Sequence, residues 1–112
     1  MMQVVFVVLH KTELLQDLLT KLKKAGVSGG TIIDSQGMIS YIQESDESYI
    51  LGSLRLFLEQ TRPDSKTMFF IIKDEQVDLV FETIDKALGG LENHNTGIAF
   101  AMPITRVEGV VK

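Results

Sequence analysis

Six consecutive apolar residues, Val4, Val5, Phe6, Val7, Val8 and Leu9, leave this chain no polar side to turn toward water early in its sequence. Four of the six are β-branched valines, so the run suits a strand covered on both faces rather than one that alternates apolar with polar. Residues 67–72 and 98–102 have nearly the same character. Between these runs the apolar period changes from strand-like to helical. Leu14, Leu15, Leu18, Leu19 and Leu22 share one face of a predicted helix over 11–24, and Val77, Val80, Phe81, Ile84 and Leu88 share one face of another. Lys21, Lys23 and Lys24 lie where cations suit the end of a helix dipole. Gly26 stops the first helix, Gly89 and Gly90 stop the second, and Asp74 is placed to cap the start of the second.

A shorter strand, 29–37, is bounded by glycines, and Pro103 predicts an edge position or the end of the last strand. Residues 38–48 are polar and acidic and read as an exposed loop. They lead into Ile50, Leu51, Leu54, Phe57 and Leu58, an apolar stripe that predicts a short amphipathic helix over 48–60, closed by Arg62 and Pro63. With that insertion set aside the order is strand–helix–strand, strand–helix–strand. This is an α+β, ferredoxin-like βαββαβ sandwich: one domain over 1–112, an antiparallel sheet, and two helices on one face. Both helices are then used, yet three of the strands are apolar on their other face as well. Another copy of the chain is the economical cover, so the pattern predicts an oligomer.

The 112 residues carry a net charge of −4 with both signs scattered, which argues against a nucleic-acid partner that would need a basic face. The first apolar run ends at His10 and Lys11, short of the roughly 20 residues that cross a bilayer, and it lacks the basic start of a signal peptide; no membrane insertion and a cytoplasmic location are expected. There is no cysteine, which removes disulfides, thiolate metal sites and thiol nucleophiles together. His10 and His94 are both expected to be exposed, and neither they nor the acidic Glu44, Asp46 and Glu47 have the spacing of a metal site. No nucleophile and base are paired anywhere, so no enzyme is predicted.

The run from Ala25 through Gly29, Gly30 and Thr31 to Asp34 and Gly37 resembles the second strand of the nitrogen-regulatory PII proteins. Lys73, Asp74, Glu75, Gln76, Val77 and Asp78 resemble that family's second helix, and Thr96, Gly97, Ile98, Ala99 and Phe100 its fourth strand. The resemblance implies a homotrimer whose sheets line a shared core, with adenine nucleotides held in clefts between subunits and a signalling loop after the second strand. Thr31, Gly37 and Gly97 match positions lining the family's cleft, and Gly30 and Thr96 flank them. Other positions depart from the family. Its phosphate-binding lysine stands here as Ile98, its later basic residues as Gly109 and Val111, and its third-strand lysine as Thr67. A cleft without those cations leaves phosphate charge uncompensated, so an adenine nucleotide would be held with weak phosphate recognition.

Residues 38–65 replace the signalling loop, and Arg55, Arg62 and Lys66 are the cations placed to complete an anion site there; Arg106 reads as surface. The expected function is therefore a regulatory protein without enzymatic activity, binding a small anionic metabolite and modulating a protein partner. The alternative is a protein-interaction module with a non-functional cleft, in which the inserted helix holds the partner.

Overall fold

The computed structural model describes residues 1–38, 42, 64–93 and 96–110. Strand β1 (Met2–Leu9) leads through a 3-10 turn (Thr12–Leu14) into helix α1 (Leu15–Lys24), and strand β2 (Thr31–Gln36) follows. Strand β3 (Asp64–Lys73), a second 3-10 turn (Asp74–Gln76), helix α2 (Val77–Ala87) and strand β4 (Gly97–Ile104) complete the order. The sheet runs β2-β3-β1-β4 with every neighbouring pair antiparallel. This is the split arrangement expected, and of the two alternatives Pro103 offered the edge position holds, since β4 is an edge strand that continues to Ile104. The predicted helix over 48–60, and with it Arg55 and Arg62, lies outside the described residues.

The register sorts the sheet's two faces. Val5, Val7 and Leu9 of β1 and Met68, Phe70 and Ile72 of β3 are buried against Leu18 and Leu22 of α1 and Val80 and Ile84 of α2. Leu14, Leu15, Leu19, Val77 and Phe81 pack partly against the same core, so both predicted stripes are the ones that face it. Each helix ends in the six-to-one backbone bond of a Schellman turn: Val27 N–H donates to Leu22 O at 3.0 Å, and Gly90 N–H to Asp85 O at 2.8 Å. Gly26 and Gly89 take the positive φ that this ending requires, at 102° and 72°.

Three local readings are corrected. Asp74 does not cap α2. Its carboxylate accepts from Gln3 Nε2 at 3.0 Å and lies 4.0 Å from the N-terminal ammonium, while Gln76 Oε1 accepts the Lys73 amide at 2.9 Å and closes the helix start. Gln76→Ala should therefore cost about 0.5–1 kcal/mol, measured as a lowered urea midpoint with unchanged slope. Strand β3 begins at Asp64, not Thr67, because Asp64, Ser65 and Lys66 pair with Gln36, Ser35 and Asp34 across the hairpin; residues 64 and 65, read as insert, belong to the sheet. Strand β4 likewise runs from Gly97 to Ile104, both its ends paired to β1.

Among the described residues no helix packs on the sheet's second face. Phe6 packs between Phe69, with ring centroids 5.6 Å apart, and Phe100, at 5.2 Å and nearly parallel. Around this row Ile98, Met102 and Ile33 are 54%, 44% and 48% exposed, and Phe100 itself is 42% exposed. A continuous apolar surface of this kind is what the unalternating strands anticipated.

Candidate functional site

The predicted site residues fall at strand ends. Gly30 precedes and Thr31 opens β2, Gly37 follows it, and Thr96 precedes and Gly97 opens β4. Strands β2 and β4 are the two opposite edges of the sheet. The register row Asp34, Lys66, Leu9, Gly97 crosses all four strands, so the Gly97 edge stands about 14 Å from the β2 edge by ordinary strand spacing. Within one chain the two glycine-bearing ends therefore do not converge on one pocket.

At the β2 edge, a cavity of about 400 Å³ is walled by Gly29, Gly30, Thr31, Phe69, Ile71 and Val110. The backbone comes close here: a β-carbon at Gly30 would lie 3.0 Å from Phe69 O and 3.2 Å from Phe70 Cβ. No charged residue among those described lines this cavity. Lys73 and Gln76 stand in the wall of an adjoining cavity of about 370 Å³. Such a site offers an apolar ring face, a hydroxyl and backbone groups; it suits a flat or partly apolar molecule better than a dense cluster of anionic oxygens.

At the β4 edge, Thr96 turns inward. It is fully buried; its amide donates to Asn93 O at 3.4 Å and its carbonyl accepts from His10 N at 3.1 Å and Lys11 N at 3.5 Å. Its hydroxyl has no hydrogen-bond partner among the described residues. Thr96 thus ties the loop before β4 to the end of β1. His10, expected to be exposed, is half-buried for the same reason, and His94 lies outside the described residues. Gly97 lets the strand start come so close to β1 that a β-carbon on it would lie 2.5 Å from Val8 O.

Two of the described cations singled out in the sequence are ion-paired, one at each end of the sheet. Lys66 Nζ is paired with the Asp34 carboxylate, and Arg106 Nη2 with Glu108 Oε2 at 2.8 Å. Sequence reading missed a polar cluster at the same end of the sheet as the Lys66–Asp34 pair. Ser35 Oγ lies 2.7 Å from Ser65 Oγ and 2.8 Å from Thr67 Oγ1. Among the described residues these three hydroxyls share two bonds, which leaves one O–H without an acceptor there. The signal was present in the period-two spacing of Ser65 and Thr67, but only the pairing of β2 with β3 brings Ser35 to them. Among the described residues no group of three His, Asp or Glu could hold a metal ion.

Comparison with known proteins agrees with this geometry. Residues 2–112 match the family model of the nitrogen regulatory protein P-II. Among solved structures, the crystal structure of Arabidopsis thaliana PII bound to citrate shares the fold with a TM-score of 0.63, at 20% identity, over 92% of this chain and 77% of that one. No curated protein matches significantly. A family match across nearly the whole chain, on a four-stranded antiparallel sheet with two helices against one face, makes this chain a member of the nitrogen regulatory protein P-II family.

Proposed function

We propose that this protein is a regulatory, non-enzymatic trimer that binds a small anionic metabolite at the clefts between subunits and passes the bound state to a protein partner. One observation carries the reading. Gly30 and Thr31 lie at one edge of the sheet and Gly97 at the other, so only a neighbouring copy can bring the two ends together. The apolar sheet face supplies the means of assembly: with Ile98, Phe100 and Met102 exposed in one strand, burial against sister copies gains roughly 25 cal/mol for each Å² removed from water. Membership of the P-II family supports three copies and a regulatory rather than catalytic role.

The uncharged wall around Thr31 favours adenosine or a monophosphate over a triphosphate among adenine ligands. The citrate in the Arabidopsis relative makes small carboxylates the second class to try. Light scattering on a sizing column is expected to give the mass of three chains. Scanning fluorimetry with adenosine, AMP, ADP, ATP, citrate and 2-oxoglutarate at millimolar concentration should raise the melting temperature by a few degrees for at least one compound. An occupied site at 100 times its dissociation constant stabilises by about 2.7 kcal/mol. A flat response to the whole panel would remove the ligand reading, and a clean monomer would remove the cleft.

A further inference from the structure

Beyond the end of β4 the chain lies along the end of the sheet at which β1 begins and β3 finishes. Val110 stands in the wall of three neighbouring cavities there. One of about 320 Å³ includes Met1, Met2 and Glu75, one of about 370 Å³ includes Gly26 and Ile72, and the third is the cavity of about 400 Å³ at Gly30 and Thr31. The reach is sufficient. From Ile104, which pairs with Met2 on β1, the six residues to Val110 can extend about 20 Å, against about 14 Å for the three strand spacings between β4 and β2.

The tail is also two-sided. Arg106 and Glu108 pair with each other on the water side, with side chains 82% and 75% exposed, whereas Val107 is half-buried and Val110 is 39% exposed. Apolar residues at 107 and 110 with a charged pair outside them describe a strap laid on a groove whose walls are apolar apart from Ser28, Lys73, Glu75 and Gln76.

We propose that residues 105–110 act in cis as a plug: Val110 occupies part of the groove at Gly30 and Thr31, and a ligand of that groove has to displace it. This rests on the reading of the groove as the ligand site. A binding site that is open only part of the time has its apparent affinity lowered by the open fraction, so the tail sets the threshold concentration at which the protein responds. Loosening the tail tightens binding, and anything that draws the tail away, a partner included, has the same effect.

The chain has no cysteine, so an introduced pair is reported without background. Ser28 lines two of the same cavities as Val110, so in the full chain carrying Ser28→Cys and Val110→Cys a short bis-maleimide is expected to join the two within one chain, leaving the protein at single-chain mass on a denaturing gel with the link found by peptide mapping. A link joining two chains, or no link, overturns the plug. Competition is read separately with 1-anilinonaphthalene-8-sulfonate as the probe. Val110→Gly, which withdraws the side chain from the groove without adding a charge that Lys73 in the adjoining walls could pair with, should bind the dye about five-fold more tightly than the parent chain, with the cooperative melting transition retained as the check on folding. Dye binding equal to the parent's overturns the competition. The cross-link outcome does not depend on any metabolite, so a failed ligand panel and a failed plug are told apart.

Discussion

Gly97→Ala is expected to lose about 2–4 kcal/mol of folding stability, a large share of what a domain of this size has. The cause is local and steric. A β-carbon at this position would lie 2.5 Å from the carbonyl oxygen of Val8 and 3.4 Å from Leu9 Cα, both backbone atoms of the central strand. Neither can swing aside as a side chain would. The residue's φ of 156° adds a conformation that side chains rarely adopt. Relief requires β4 to pull away from β1 where Thr96 holds the preceding loop, so the buried bonds from His10 N and Lys11 N to Thr96 O weaken with it. Thermal melting should fall by roughly 8–30 °C, at about 4–8 °C per kcal/mol for a domain near this length. Gly29→Ala is the matched control: its β-carbon would meet nothing within 4 Å, and its melting temperature should stay within a few degrees of the parent. Equal melting of the two variants would show that the approach of β4 to Val8 is looser than described.

Phe70→Ala and Phe100→Glu should fail in opposite ways, because the two phenylalanines stand on opposite faces of one sheet. Phe70 is 2% exposed and packs among Val5, Met68 and the two helices. Removing its ring leaves a cavity inside the chain's own core and should cost about 3–5 kcal/mol. Phe100 is 42% exposed on the face that no described helix covers, stacked on Phe6. A carboxylate there is solvated in the single chain but would be stranded in an assembled interface, where an unpaired buried charge costs several kcal/mol. Phe70→Ala should therefore unfold at much lower denaturant while any folded fraction keeps its assembly state. Phe100→Glu should keep helical circular dichroism and sediment as a single chain. A Phe100→Glu variant that assembles like the parent would mean the aromatic row is not where copies meet.

Much of the architecture was readable because it rests on repetition. Six apolar residues in β1 and leucines at three- and four-residue spacing in α1 state their partners' faces without naming them, and the glycines after each helix state where the helix stops. The points that escaped were decided by pairing. Asp74 looked like a cap by its position and residue type, yet the start of β1 brings Gln3 and the N-terminal ammonium to its carboxylate and leaves the closing bond to Gln76. Ser35, Ser65 and Thr67 looked like unrelated polar residues until the β2–β3 register aligned them. Thr96 drew notice only as the neighbour of Gly97, and nothing in its local sequence shows that the end of β1 claims its carbonyl and buries its side chain.

The sequence alone determined the order of elements, which faces of α1 and α2 are apolar, and that the sheet has more apolar surface than two helices can cover, since periodicity and burial demand are properties of the chain itself. Only the tertiary structure decided that Gly30 and Gly97 lie at opposite edges, that Gly97 has no room for a β-carbon, and that Val110 lies against the groove at Thr31. Each of those depends on distances between segments far apart in the chain, and strand order and register, not local preference, set them.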